Sequence, residues 1–430
     1  MHSKKQNKGL LFFLALVLTA SLAACSQTVS AEVIKSDKDR ITSPDVSSED
    51  LEMLVEGNND FAFELYQALR TIENGNLFYS PHSISAALAM TYAGAREITA
   101  EQMAETLYFY LSQKDLHPAF NKLDIELAKR GEGAKGSNSE GFRLNIINAI
   151  WGQQNYHFSD DFLDVLSENY DAGLRILDFI DQTEESRKTI NDWVSQQTEE
   201  RIKDLIPRGA IDKLARLVLT NAIYFNAAWL YPFDDEATTE KHFTLLNGSQ
   251  VPVSIMKQSQ RFNYSENDNY QALEIPYDGQ ELSMVVLLPA EGEFEAFENR
   301  LSAGMVSDII ASLSNHQVIL SMPKFKYESG FNLKDSLSAM GMPIAFSGGA
   351  DFSGMTGSQD LCIDEIIHKA FISVNEAGTE AAAATAVIMQ TVSVPSQQVD
   401  FNINRPFIYL IRDNATGTVL FVGSVVNPGA

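Results

Sequence analysis

The chain has 430 residues, 45% of them hydrophobic and 10% aromatic, enough for one large core or two domains. Its formal charge is −25 and its pI is near 4.6, so phosphate backbones and anionic lipid repel it, which argues against a nucleic-acid partner. Basic residues are scattered beyond the N-terminus, so no heparin-like binding patch is expected either.

The chain opens on Lys4, Lys5 and Lys8, followed by an apolar run from Leu10 to Ala20. This is the layout of an export signal, too short and too early for a spanning helix. It closes on Leu22-Ala23-Ala24-Cys25, the pattern of a bacterial lipobox, in which residues 1–24 are removed and Cys25 is lipidated as the first mature residue. The other reading is an ordinary secretory signal cleaved near Ala24 or Ala31. If Cys25 carries lipid, Cys362 stands alone and no disulfide can form. Residues 25–48 are rich in Ser, Asp, Lys and Glu and read as a flexible, solvated tether. The folded domain is then 49–430.

Ser47 to Asp50 reads as a helix start, after which Phe61, Leu65 and Leu69 recur on one helical face. Ser83 to Ala95 is small and apolar on nearly all sides, the mark of a buried helix. Ala100 to Leu111 predicts another helix, Gly131 to Gly141 a loop and Leu144 to Trp151 a strand. Ser186 to Ile206 predicts a helix stopped by Pro207. Leu217 to Phe225 is almost continuously apolar, as in a strand covered on both faces. Strands are expected at Ser283 to Leu288, Val318 to Met322 and Ile366 to Val374. From Asn375 to Gln398 the sequence turns bland, with four successive alanines, a β-branched stretch and a polar end. Phe407 to Ile411 and Thr418 to Val422 flank a strong hairpin signal, Arg-Asp-Asn-Ala-Thr-Gly. Helices dominate the first half and strands the second, which predicts an α+β fold with large antiparallel sheets.

Signatures of catalysis are absent. There is no G-x-S-x-G, no H-E-x-x-H and no paired C-x-x-C. Gly131 to Gly136 matches G-x-G-x-x-G, but it follows a helix and opens no helix, so it makes no dinucleotide site. The seven histidines lack metal-ligand spacing, so neither a metal nor a cofactor is expected. Two polar residues interrupt apolar strands, Asn221 in Leu217–Phe225 and His368 in Ile366–Phe371. Buried, each needs hydrogen-bond partners. They are either two separately satisfied residues or one polar cluster joining two strands of a sheet.

Four segments resemble the serpins, in the family's order and across about residues 50 to 430. They are Asn76 to Ala95, Leu219 to Trp229, Ile366 to Thr385 and Phe401 to Pro428. The resemblance implies one domain with three β-sheets, eight or nine helices and an exposed reactive-centre loop. It places Ser80, Ser83, Asn221 and His368 at the opening point of the main sheet, the shutter. It places Trp229, Lys324 and Glu376 where the loop enters that sheet, the breach. Lys324 and Glu376 would pair there, the alternative being an exposed pair of no consequence. Glu376 matches the position seventeen residues before the cleaved bond, which puts the reactive bond at Val392–Ser393.

The bland segment is then a strand waiting for insertion. Glu376, Gly378, Thr379, Ala381, Ala383 and Thr385 form the hinge. From Thr379 to Thr385 alternate side chains are small or uncharged and suit burial, whereas Glu380 falls on the opposite face. A short alanine-rich helix is the competing local conformation. The implied function is not enzymatic. It is irreversible suicide inhibition of serine proteases of the elastase or subtilisin type by a monomer, exported and lipid-anchored to the envelope or released from it. The alternative is a non-inhibitory surface lipoprotein that uses the fold as a binding module.

Overall fold

A computed structural model of the chain describes residues 31–131, 143–379 and 398–429. The first helix, Ser48–Leu69, starts where Ser47 accepts a hydrogen bond from the Asp50 amide at 3.0 Å, with Glu49 and Asp50 in the first turn. The second, Pro81–Tyr92, is buried almost throughout. Among the described residues there are ten α-helices and two 3-10 turns, more than the expected eight or nine because very short segments such as Phe294–Glu298 and Ser353–Thr356 are included.

The strands are β1 Glu32–Ile34, β2 Leu77–Tyr79, β3 Arg143–Gln153, β4 Leu174–Leu177, β5 Leu217–Ala228, β6 Thr239–Thr244, β7 Gln250–Asn267, β8 Tyr270–Pro276, β9 Leu282–Pro289, β10 Ser314–Pro323, β11 Phe325–Asn332, β12 Glu365–Val374, β13 Gly378–Thr379, β14 Gln398–Asn402, β15 Phe407–Asp413 and β16 Val419–Val425. Seven form one sheet in the order β1-β4-β3-β5-β13-β12-β11. The other nine run β14-β10-β7-β8-β9-β15-β16-β2, with β6 also beside β7. Hydrogen bonding thus joins into one sheet what the resemblance divides into two. The cause is the length of β7, which pairs with β6 from Gln250, with β10 from Ile255 and with β8 from Asn263.

The central strand β5 explains why its sequence is apolar without alternation. Leu217, Leu219, Ile223 and Phe225 face the main core, whereas Val218 and Ala222 face a second cluster built from Ile190, Val194, Ile202, Leu205, Ile206 and Ile211. The second cluster also takes in Ile367 of β12, so its cover straddles the boundary between β5 and β12.

Two expectations are corrected. The helix expected to reach Ile206 spans Thr183–Gln197. The Thr198 hydroxyl donates to the Val194 carbonyl and accepts from the Ile202 amide, and Glu199 and Glu200 take left-handed backbone angles, so the chain turns there. The solvated tether expected over 25–48 is, in its described part, docked. β1 extends the seven-stranded sheet along β4. Lys38 then pairs with Asp164 and Glu168, Arg40 with Asp124, and the Ile41 amide donates to the Glu168 carbonyl. Composition marked the segment as polar, and its partners lie more than eighty residues away.

The β15–β16 hairpin is tied to the rest of the fold by charge. Asp413 is fully buried, accepts from Arg130 Nε at 2.6 Å and also takes the Thr416 amide and hydroxyl. Asp413→Ala leaves the Arg130 guanidinium, itself largely buried, without its counter-ion. The expected loss is about 3–5 kcal/mol, read as a lower denaturation midpoint; a midpoint within error of wild type refutes a structural role for the pair.

Candidate functional site

Three strands carry one polar row. Register sets Asn148 of β3 opposite Asn221 of β5, and Asn221 opposite His368 of β12. Asn221 donates from Nδ2 to Asn148 Oδ1 and Ser83 Oγ, and its Oδ1 faces His368 Nδ1. The Ser80 amide donates to His368 Nε2 at 3.4 Å, so the ring proton sits on Nδ1 and points at Asn221. Ser80 caps the second helix: its hydroxyl accepts from the Ser83 amide and donates to the Leu420 carbonyl. Phe331 stacks on the imidazole with planes 6° apart. Asn221 and His368 therefore belong to one cluster, with Ser80 and Ser83 supplied from the helix beneath. Burial pushes the His368 pKa down to about 3, because the charged ring would lose its hydration in the core.

Above this row the sheet opens. β5 and β12 pair directly, in parallel, from Val218 and Glu365 up to Tyr224 and Phe371. Beyond that, β13 lies between them, with Thr379 opposite Val374 on one side and Ala227 on the other. Gly378 approaches β5 so closely that a Cβ would sit 2.2 Å from the Ala227 carbonyl oxygen, so the glycine supplies room. A turn precedes it, in which Asn375 Oδ1 accepts from the amides of Ala377 and Gly378. The Trp229 amide donates to the Ala377 carbonyl, its indole Nε1 to the Asn375 carbonyl, and the Phe233 amide to the Glu376 carbonyl.

Lys324 Nζ lies 2.7 Å from Glu376 Oε2, and the Thr238 hydroxyl donates to Oε1 at 2.7 Å. The Glu376 side chain is only 10% exposed, so this is not a loose surface pair. Burial pushes its carboxyl up, but the hydrogen bonds from Lys324 and Thr238 outweigh burial and hold it below the usual range.

The structure thus brings Ser80, Ser83, Asn221 and His368 into one site, and Trp229, Lys324, Glu376, Gly378 and Thr379 into a second. Cys25, Ala381, Ala383, Thr385, Val392 and Ser393 lie outside the described residues, as do the signal segment and the Gly-x-Gly stretch beyond Gly131. Sequence reasoning missed Asn148, which breaks an apolar strand just as Asn221 does and was legible by that sign. It also missed Asn375, Thr238 and Tyr277, which lie in turns or edges where no periodicity marks them. Among the described residues no group of acidic, His or Cys side chains is arranged to hold a metal.

A large sheet that admits the start of a small-residue segment between its two central strands, above a buried polar row, is the architecture of the serpins. The family model for serpins, serine protease inhibitors, matches residues 56–428, and the chain belongs to this family. An uncharacterized serpin-like protein of Thermococcus kodakarensis is 41% identical over 378 residues, 87% of this chain and 86% of that protein. The leukocyte elastase inhibitor of Xenopus laevis is 39% identical, covering 88% of this chain and 100% of that protein. The native structure of tengpin, a thermophilic serpin, aligns with a TM-score of 0.81 at 30% identity, covering 93% of this chain and 100% of that one.

Three buried histidines give this fold a pH signature. Burial lowers His368 to about 3 and His82 and His117 to about 4, each from an ordinary value of 6.5. The unfolded chain then binds more protons than the folded one below pH 6.5, so stability is full above that pH and falls as pH drops. Each such histidine contributes a slope of up to about 1.4 kcal/mol per pH unit. His368→Gln should remove one such contribution, seen as a shallower fall of the denaturation midpoint in acid; a slope equal to wild type contradicts a neutral, buried ring.

Proposed function

We propose that this serpin inhibits serine proteases irreversibly as a suicide substrate cut at Val392–Ser393. The observation that carries the reading is β13: Gly378 and Thr379, where the segment leading to that bond starts, already lie between β5 and β12. The protease serine attacks the Val392 carbonyl carbon, an ester forms, the amide to Ser393 breaks, and the new Ser393 amine takes up the proton. The freed arm then continues the register that Thr379 has begun.

That register can be followed down β5. Antiparallel pairing from Thr379 opposite Ala227 brings Ala381 to Phe225, Ala383 to Ile223 and Thr385 to Asn221. Small side chains meet large ones on the core face, and a hydroxyl arrives at the polar row. Thr385 can then satisfy Asn221 when the strand separates it from His368. Met389 reaches Leu217, the first residue of β5, so Val392 passes beyond the end of the strand. From Thr379 to Val392 the bond travels on the order of 45 Å. Seven parallel register pairs between β5 and β12 give way to antiparallel pairing on both sides of the new strand. The cover of Ile202, Leu205, Ile206 and Ile211 must lift as it passes. The attached enzyme is displaced with the arm and its deacylation fails, so the chain needs no catalytic residue of its own. The energy comes from a native state held by kinetics.

Val392 fits a shallow elastase-type pocket or a permissive subtilisin-like one, and it leaves the carboxylate of a trypsin-type pocket unpaired. The likeness to a leukocyte elastase inhibitor supports this choice. We further propose export as a monomer held to the envelope by lipid on Cys25.

Incubation with an elastase should give an SDS-stable complex and a released peptide beginning at Ser393, and Val392→Arg should transfer preference to trypsin. Absence of a stable complex with any serine protease, or a peptide starting far from Ser393, would falsify the reading. Thr379→Arg places a guanidinium in a fully buried position, at a cost of several kcal/mol. That variant should be cleaved as a substrate with little complex on the gel; undiminished trapping rules out insertion from Thr379. Cys25→Ser should move the protein from the membrane fraction to the soluble one, and unchanged membrane association would sink the lipid anchor.

A further inference from the structure

Tyr277 follows β8 and lies beneath the hinge. Its ring is 1% exposed and stacks on Trp229 with centroids 4.6 Å apart and planes at 9°. A backbone bridge between Trp229 and Tyr277 fixes the pair at the top of β5. Stacking accounts for the ring but not for the phenol. That hydroxyl lies 2.8 Å from Thr379 Oγ1, and Thr379 has no exposed surface. Among the described residues neither hydroxyl has another side-chain partner. The two groups therefore share one hydrogen bond in a place that water does not reach.

We propose that Tyr277 is a positioning residue of the inhibitory reaction, a buried receptor that selects a hydroxyl at position 379 and holds the hinge half admitted before cleavage. The proposal rests on the inhibitory reading given above. Withdrawal of the hinge returns Thr379 to water but strands the Tyr277 hydroxyl in the core, so the phenol opposes withdrawal. Docked in this way, Gly378 and Thr379 hold the strand register before the bond is cut. Insertion then extends a strand already begun and competes better with deacylation. Because each hydroxyl matters only through the other, losing one is harmful and losing both restores an apolar match.

The test is a double-mutant cycle of Tyr277→Phe and Thr379→Val in the full chain, with Thr379→Ser as the conservative control. Tyr277→Phe keeps the ring and its stacking. The first readout needs no protease: amide hydrogen exchange over residues 375–379. The second is the number of inhibitor molecules cleaved per complex formed with an elastase. Each single variant should exchange about tenfold faster at the hinge and consume severalfold more inhibitor per complex. The double variant and Thr379→Ser should lie near wild type in both. Exchange unchanged in Tyr277→Phe, or losses that multiply in the double variant, overturn the proposal. If the unaltered protein forms no complex, the inhibitory reading fails, and the exchange cycle still decides whether the two hydroxyls latch the hinge.

Discussion

The pairing of β5 with β12 is the constraint on which the rest of this molecule depends. These strands are neighbours in the middle of a seven-stranded sheet, yet they run parallel while the chain around them pairs largely antiparallel. Parallel ladders have slanted bonds and are slightly weaker per residue. A strand running opposite to both neighbours could bond each of them along its whole length. The sheet as folded is therefore complete but not optimal. The helix Thr183–Gln197 and the irregular segment after it close the outer face over that seam, and the main core closes the inner one.

Polar groups are placed along the seam between β5 and β12 and at its upper end. A buried row of Asn148, Asn221 and His368 is costly unless each member is bonded, and here the Asn221–His368 contact runs across the boundary between β5 and β12. An apolar row would pack as well but would offer no directional link to break and remake. The hinge uses the same device at the other end. Glu376 is anchored by Lys324 and Thr238, and Trp229 binds the backbone on either side of it, so the turn at Asn375 to Gly378 is fixed. Specificity of position, more than added stability, is what these buried polar contacts supply.

Much of this was legible in the sequence because the relevant strands carry local contradictions. An Asn in the apolar run of β5 and a His in that of β12 announced partners, although only the register shows that they face one another. The Asp-Asn-Ala-Thr-Gly turn marked the β15–β16 hairpin through local chemistry alone. Other features had no local sign. β7 is eighteen residues long but largely exposed and rich in polar side chains, so neither length nor periodicity stood out. Residues 31–41 looked solvated because composition reports charge and not the acidic groups of a distant helix that neutralise it. Tyr277 sits in a turn as an isolated aromatic, and the hydroxyl it meets belongs to a residue more than a hundred positions away.

The docking of β1 has a directional consequence. β4, which it extends, pairs with β3 only from Ile150 to Gln153, beside Leu217 to Leu219 of β5. The N-terminal strand therefore sits at the pole of the sheet opposite the hinge. Only six residue steps separate Cys25 from Ala31, a leash of about 20 Å at full stretch. With lipid on Cys25, the bait would project outward from the bilayer, and a captured enzyme would be drawn down the sheet towards it. Trapping on such a surface would have a geometry that trapping in solution lacks: the quarry would be met at the outer pole and would finish within reach of the membrane, which would then bound how far the enzyme is carried.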